Sequence, residues 1–233
     1  MNTNEFQAEI DILFKDDRVL KEALTHRSYL NENQDWPCDH NEKLEFLGDA
    51  VLEFATTKYL FCAFPKMEEG ELTMLRAALV NTKMLAQIAG SMHLQSHLLL
   101  SKGEGAQANG RAMETILADA LEALIGAIYL DQGYDVAEKF IKERILSRVD
   151  EIKKQGYRDP KSVLQEKTQD AIKVTPTYKV LEESGPEHQK SFKVGVYYKD
   201  NLIAVGEGLS KQEAETVAAE KALKTFLQKD KVL

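Results

Sequence analysis

The chain has 233 residues, 43% of them apolar, and a formal net charge of −8 at pH 7, which allows one or two domains with real hydrophobic cores. Its start lacks a basic stretch followed by an apolar run, and no apolar stretch reaches the roughly 20 uncharged residues of a spanning helix, so we expect no secretory signal and no membrane partner. Cys38 and Cys62 have neither metal-ligand nor disulfide spacing, which predicts reduced thiols in a cytoplasmic protein.

The segment 41–52 contains the first pattern that predicts chemistry. In a helix, Glu42, Glu45 and Asp49 fall at positions i, i+3 and i+7, within about 60° of one another. Apolar residues occupy most of the remaining helix surface, which predicts a helix that is buried almost all round. Carboxylates held in such a cleft without basic partners need a cation, because an unpaired buried charge is costly.

A second carboxylate pair lies in the long apolar segment 115–130. Asp119 and Glu122 are its only charged residues, and their i, i+3 spacing places them on one face of a helix. A pair bonded to caps or hydroxyl groups would explain this spacing equally well. However, carboxylates from two facing helices would form an oxygen-rich site suited to Mg²⁺ or Mn²⁺ rather than zinc, and such a site supports two-metal phosphoester hydrolysis.

A domain boundary is predicted near residues 149–160, where apolar periodicity is lost, charge increases, and Gly156 and Pro160 interrupt the pattern. The pattern before it is helical, and the pattern after it includes runs typical of strands. We therefore assign 1–150 to an all-helical domain, 151–159 to a linker and 160–229 to a small α+β domain. The predicted elements of this second domain are a helix at 161–172, strands at 177–181, 191–198 and 202–206, and a last helix that begins with a capping box of Ser210 and Glu213.

Three separated motifs, in the right order, resemble those of the ribonuclease III endonucleases. Residues 41–52 resemble the signature stretch of that family, 117–131 its second catalytic helix, and 23–29 its N-terminal helix segment. Residues 160–229 resemble a double-stranded-RNA-binding domain, so the resemblance covers essentially the whole chain. The architecture it implies is that of the simple bacterial enzyme: an all-α nuclease domain followed by a small α+β (α-β-β-β-α) double-stranded-RNA-binding domain.

This resemblance implies an endonuclease that hydrolyses phosphodiester bonds in double-stranded RNA with Mg²⁺, for which Mn²⁺ could substitute. Family members leave 5′-phosphate and 3′-hydroxyl ends, and the expected substrates are precursors of ribosomal and other structured RNA, including messenger RNA. The glycine-rich run 102–111 lacks the Lys-Ser/Thr ending of a phosphate loop, so we expect a mobile loop there and no nucleotide cofactor. The site residues implied are the metal ligands Glu45, Asp49, Asp119 and Glu122, of which Asp49 and Glu122 are catalytic, and the auxiliary acids Glu42 and Glu69.

The second domain is expected to contact RNA through two helices and a loop. A solvated surface is the alternative interpretation of the first helix face, and acids outnumber bases in the nuclease domain, which argues against strong binding. The family commonly has consecutive lysines where this chain has Lys211-Gln212, and Glu187 adds negative charge to the loop. The implied RNA-binding residues are Ser162, Gln165, Glu166 and Gln169 on the first helix, His188 in the loop 185–188, and Ser210 and Lys211 at the last helix.

A homodimer is expected, because staggered cutting of both strands needs two active sites and the chain encodes one. Phe46 lies beside the acidic stripe, and in the family the corresponding aromatic packs across the subunit interface. Packing of Phe46 under a loop of its own chain is the alternative. Two other functions remain open at this stage: an RNA-binding protein that does not cut, and a hydrolase of small phosphoesters, which the second domain disfavours.

Overall fold

The structure is a computed structural model that describes residues 3–107, 110–155, 160–185 and 190–229. The chain divides into two compact units, residues 1–157 and 158–233. Residues 151–155, which the sequence assigned to the linker, continue a helix of the first unit, and Ile152 is buried there. This helix has the buried apolar residues Val149 and Ile152 among charged ones, and two such residues are too few to establish a helical period from the sequence.

The first unit is helical wherever the structure describes regular elements in it. Short 3₁₀ turns occur at Leu94–His97 and Leu146–Arg148. No helix in the described ranges is long and apolar enough to span a membrane. The helices are α1 Asn4–Ile10, α2 Asp17–Ala23, α3 Arg27–Glu32, α4 Glu42–Ala63, α5 Glu69–Val80, α6 Thr82–Ser91, α7 Lys102–Gln107, α8 Arg111–Gln132, α9 Tyr134–Arg144 and α10 Val149–Gln155.

Helix α8 forms the centre of the first unit. Ala, Leu and Ile dominate its sequence, which combines strong helix propensity with a large apolar surface. Leu121, Leu124, Ile125 and Ile128 are completely buried. Burying each of these side chains contributes about 1.5–3 kcal/mol relative to leaving it exposed, so the helix that carries two of the predicted acids is firmly anchored.

Two glycines allow α4 and α8 to cross in backbone contact. A Cβ atom on Gly48 would lie 1.8 Å from the carbonyl oxygen of Glu122, and a Cβ atom on Gly126 would lie 2.2 Å from the carbonyl oxygen of Leu44. Any side chain at either position would force the helices apart. The crossing therefore fixes the distance between the acidic residues of α4 and those of α8.

Helix α4 differs from the sequence-based prediction, which had it buried almost all round. Phe46, Phe54 and Phe61 are 82%, 60% and 71% exposed, so this helix presents large aromatic side chains to solvent. The prediction was wrong because a helical wheel shows which residues share a face but not whether the chain itself covers that face.

The glycine-rich run predicted as a loop is partly helical. Lys102–Gln107 forms α7, while residues 108–109 lie outside the described ranges and Arg111 begins α8. The backbone N–H of Glu104 donates to Ser101 Oγ at 3.1 Å, a side-chain cap of the kind that starts helices. The sequence-based prediction weighted the glycines and overlooked this cap.

The second unit contains the predicted order of helix, three strands and helix. Its strands form one antiparallel sheet in the order β1-β2-β3, and its core includes Leu164, Val196 and Ala218. A Cβ atom on Gly206 would lie 2.1 Å from the carbonyl oxygen of Ala214, so β3 and the last helix also pack closely. The elements are α11 Pro160–Ile172, β1 Thr177–Ser184, β2 Ser191–Tyr198, β3 Asn201–Gly208 and α12 Lys211–Lys229.

We predict that Gly126→Ala destabilises the protein by about 3 kcal/mol or more, because the new methyl group overlaps backbone atoms of α4. Gly90→Ala is the matched control, since Gly90 also lies in a helix but a Cβ atom there meets nothing within 4 Å. That control should be neutral or stabilising by up to about 1 kcal/mol. Urea unfolding of both variants measures the difference, and equal stabilities would contradict the close crossing.

Candidate active site

Three carboxylates from the two crossing helices meet on one side of the crossing. Glu45 of α4 and Asp119 and Glu122 of α8 each offer an oxygen atom, and these atoms lie within 4.8 Å of one another. We refer to these three residues as the acid cluster. The sequence-predicted ligands on separate helices are thus brought together, about 75 residues apart in the chain.

Burial and mutual repulsion disfavour the charged forms of these acids. Burial first, and then the charges of Asp49, Asp119 and Glu45, raise the pKa of Glu122 to about 8. Burial also raises the pKa of Glu45, with added repulsion from Asp119, and burial raises the pKa of Asp119. Within the described ranges, no lysine or arginine pairs with the acid cluster, so its negative charge calls for a cation.

The donor set of the acid cluster suits a hard divalent cation. All three donors are carboxylate oxygens, which Mg²⁺ and Mn²⁺ prefer, and no histidine or cysteine belongs to the cluster. Oxygens bound to one octahedral Mg²⁺ ion lie about 3 to 4 Å apart, and the three carboxylate oxygens here lie within 4.8 Å of one another. The residues present therefore fit a divalent metal ion.

The other predicted acids have different surroundings. Asp49 is exposed and lies outside the acid cluster, although its charge acts on Glu122. Glu42 is exposed and has basic neighbours that the sequence pattern did not indicate: its carboxylate lies 3.3 Å from an Arg27 nitrogen and 3.8 Å from a His40 nitrogen. These contacts make Glu42 a partly neutralised acid at the edge of the site.

Glu69, the second auxiliary acid predicted from the sequence, lies at the start of α5 and apart from the acid cluster. Its carboxylate accepts a hydrogen bond from Thr73 Oγ1 at 3.4 Å. Glu69 lines a mainly apolar groove of about 430 Å³ together with Phe61, Met67 and Leu72. We call this feature the α4 groove, and its complete lining is Thr57, Leu60, Phe61, Met67, Glu69, Leu72, Thr73 and Arg76.

His26 is a residue near the acid cluster to which the sequence pattern gave no role. Its positive charge, when the ring is protonated, lowers the pKa of Asp119, and the charges of Glu104 and Asp119 act in turn on His26. In the sequence, His26 stands out only as part of the family-like segment 23–29. The i, i+3, i+4 spacing rules could not identify it, because it lies between helices α2 and α3 and approaches the acids through the fold alone.

In the second unit, the predicted RNA-binding residues of α11 share one exposed surface. Ser162, Gln165, Glu166 and Gln169 line a shallow depression of about 440 Å³. Hydroxyl, amide and carboxylate groups are therefore presented together on one helix face.

The remaining predicted RNA-binding residues surround the start of α12. Ser210 Oγ accepts a hydrogen bond from the backbone N–H of Glu213 at 3.1 Å, and the Glu213 carboxylate accepts from the backbone N–H of Leu209 at 2.9 Å. The predicted capping box is thus present, except that the Glu213 carboxylate accepts from the backbone N–H of Leu209 and not from that of the cap residue Ser210. Lys211 is exposed, with Nζ 5.7 Å from the ring centroid of Phe192, whereas His188 lies outside the described residues.

Comparisons with known proteins find relatives for both units of the chain. A family model described as Ribonuclease-III-like matches residues 16–149, and one described as Double-stranded RNA binding motif matches residues 160–225. The chain is 42% identical over 226 residues to a Ribonuclease 3 of Enterococcus faecalis, covering 97% of this chain and 98% of that protein. It is 46% identical over 220 residues to a Ribonuclease 3 of a Geobacillus species, covering 94% and 89%.

A solved structure of the nuclease domain of ribonuclease III from Campylobacter jejuni is also similar to this chain. The TM-score is 0.54 at 42% sequence identity, and the match covers 61% of this chain and 98% of that one. The Campylobacter domain shows structural flexibility in a region involved in dimer formation. The acid cluster lies within residues 16–149, which the Ribonuclease-III-like family model matches.

We predict that the metal-free protein loses stability as pH rises from about 4.5 to about 8. The pKa of Glu122 is raised from its ordinary value of 4.5 to about 8 on folding, so its stabilising contribution is fully present below the lower value and lost as pH passes the upper one. Glu122→Gln should remove part of this loss, whereas Glu114→Gln, at an exposed acid of the same helix, should not. Thermal melting in EDTA between pH 5 and 9 measures the effect, and parallel profiles for both variants would contradict it.

Proposed function

The chain belongs to the ribonuclease III family, and we propose that it is an endoribonuclease that hydrolyses phosphodiester bonds in double-stranded RNA with Mg²⁺ in the cytoplasm. The observation that carries this proposal is the acid cluster of Glu45, Asp119 and Glu122, in the same chain as a double-stranded RNA binding motif. Its proposed substrates are precursors of ribosomal and other structured RNA, and its proposed products carry 5′-phosphate and 3′-hydroxyl ends.

The protein's own residues would hold and orient the reacting groups. Glu45, Asp119 and Glu122 would bind the metal, and when bound, Mg²⁺ supplies an activated water and charge neutralisation for phosphoester hydrolysis. Asp49, exposed beside the cluster, can reach toward the substrate from α4. Partial burial limits the water around Glu122, which strengthens electrostatic interactions there. Water would attack phosphorus from the side opposite the 3′-bridging oxygen and break the bond between them. One product would then end in a 3′-hydroxyl group and the other in a 5′-phosphate.

The second unit would hold the duplex. The shared surface of Ser162, Gln165, Glu166 and Gln169 contains donors and acceptors, which suits the 2′-hydroxyl groups of an RNA minor groove. Lys211 lies in the first turn of the 19-residue helix α12, where the helix dipole favours a phosphate. The net charge of −8 opposes binding, so affinity should depend on these placed contacts and should fall as salt increases.

A homodimer would supply the two active sites that staggered cleavage of both strands needs. Two features of α4 support this assembly: the exposed side chain of Phe46 and the mainly apolar α4 groove around Phe61. They lie 11–15 residues apart along the helix, or about 16–22 Å. A two-fold axis between them would seat Phe46 of each protomer in the α4 groove of its partner, which is the self-complementary contact expected of a symmetric dimer.

We predict that Glu122→Gln lowers the rate of duplex RNA cleavage by on the order of 1,000-fold, because a lost metal ligand removes several kcal/mol of transition-state stabilisation. Binding of the same duplex in EDTA should change little, since the amide keeps the shape of the carboxyl group. Glu114→Gln serves as the control. A Glu122→Gln variant that cuts at the parental rate in Mg²⁺ would show that the acid cluster does not perform the hydrolysis.

We predict that Phe46→Ala weakens the dimer by about 30-fold or more, since a large aromatic seated in a pocket is typical of an interface hot spot. Leu13→Ala is the control, because Leu13 is 80% exposed but is not part of α4. Sedimentation at micromolar concentrations measures both dissociation constants. A parental protein that is monomeric there yet makes staggered double-strand cuts would refute the dimer.

A further inference from the structure

The acid cluster and its neighbour Asp49 can only accept hydrogen bonds when ionised, yet an RNA backbone presents phosphate oxygens that also need donors. Arg27 and His26 are two side chains of the described ranges that can donate near these acids. Arg27 is 70% exposed at its side chain and already contacts Glu42. The other group is the imidazole of His26, whose orientation is fixed by several hydrogen bonds.

His26 is held in one orientation by α3 and by a neighbouring strand-like segment. Its Nδ1 atom lies 2.8 Å from Ser28 Oγ and 3.2 Å from the backbone nitrogen of Ser28, so it caps the start of α3. The backbone N–H of His26 donates to the carbonyl oxygen of Leu99 at 3.0 Å. The ring is therefore fixed at both its backbone and its Nδ1 side.

The same contacts determine which ring nitrogen carries the proton. The backbone N–H of Ser28 donates to Nδ1, so Nδ1 must act as an acceptor. Ser28 Oγ in turn accepts from the backbone N–H of Ser101 at 3.1 Å, which leaves the hydroxyl hydrogen free to donate to Nδ1 as well. A neutral imidazole whose Nδ1 accepts must carry its proton on Nε2.

The charge state of the ring agrees with this assignment. Burial lowers the pKa of His26, and the opposing effects of Glu104 and Asp119 do not reverse the shift. The lowered pKa favours the neutral ring, which has one N–H group. In the described part of the chain, nothing accepts a hydrogen bond from Nε2, which leaves that donor available, and the charge of Asp119 in the acid cluster acts on the same ring.

We propose that His26 is a substrate-orienting residue whose Nε2–H donates to a phosphate oxygen of the RNA strand being cleaved. This inference rests on the proposed function. The oriented donor fixes the phosphodiester relative to the acid cluster, and it does so at little entropic cost because Ser28 already holds the ring and Leu99 holds the backbone of His26. A neutral donor suits this position, since a second fixed positive charge would compete with the metal for the carboxylates.

Two substitutions separate this role from simple helix capping. In His26→Asn, the amide oxygen takes the place of Nδ1 and can accept from Ser28, and Asn is a favourable capping residue, but no donor reaches the position of Nε2. In His26→Gln, the amide nitrogen reaches the position of Nε2, but the Nδ1 acceptor is lost. His93→Asn is the matched control, because His93 is exposed and its backbone φ of 53° suits Asn.

The experiment measures single-turnover cleavage of a duplex RNA by the full chain in Mg²⁺, together with duplex binding in EDTA and the melting temperature. His26→Asn should cleave about 10- to 100-fold more slowly, with binding and melting near parental values. His26→Gln should cleave faster than His26→Asn although it melts at a lower temperature. His93→Asn should match the parent.

The opposite ranking, with His26→Asn at the parental rate and His26→Gln impaired, would show that His26 is only a cap and would overturn the proposal. If the parent itself fails to cut duplex RNA, the proposed function fails instead, so the two failures are distinguishable. Nitrogen-15 NMR of the parental histidines gives a test that needs no variant. The proposal requires a protonated Nε2 in His26 and a shift of that N–H resonance when duplex RNA is added with Ca²⁺ in place of Mg²⁺. An Nδ1-protonated ring or an unchanged resonance would overturn it.

Discussion

The close crossing of α4 and α8 is the constraint on which the rest of the nuclease unit depends. Gly48 and Gly126 let the two backbones touch, and the buried face of α8 holds the crossing in place. Glu45 lies about one turn from Gly48, and Glu122 and Asp119 lie about one and two turns from Gly126, so the backbone contact alone places Glu45 near Asp119 and Glu122. A tightly packed core resists small displacements, so the distance between these carboxylates is set by the fold rather than by flexible side chains.

The crossing brings partly buried carboxylates together, and their mutual repulsion is unfavourable unless a cation is bound. The apolar core of α8 partly desolvates Glu122, and neighbouring acids repel it, so the pKa of that carboxyl rises to about 8. A divalent cation relieves both effects at once, which couples metal binding to stability. His26 and Arg27 border the same site with donors, and α4 presents the exposed aromatic side chains of Phe46, Phe54 and Phe61.

The sequence predicted more of the site than of its surroundings. The i, i+3 spacing of Asp119 and Glu122 depends only on helical periodicity, and the family-like motifs identified both helices. By contrast, the exposure of Phe46 depends on which elements cover α4, and the approach of His26 depends on how the segment between α2 and α3 folds back. The sequence did not predict helix α10, because its two buried apolar residues, Val149 and Ile152, are too few to form a recognisable pattern. Local periodicity therefore predicted elements and acids, whereas contacts between distant segments required the structure.

Titration of the full chain with Mn²⁺ tests most directly whether the crossing of α4 and α8 creates a cation site from three carboxylates. Electron paramagnetic resonance at pH 7 reports free Mn²⁺, and the parental protein should bind the ion saturably, in competition with Mg²⁺. Asp119→Asn should weaken that binding by at least about tenfold, while Asp150→Asn, at an exposed acid outside the acid cluster, should leave it unchanged. Equal Mn²⁺ binding by the parent and Asp119→Asn would contradict the account.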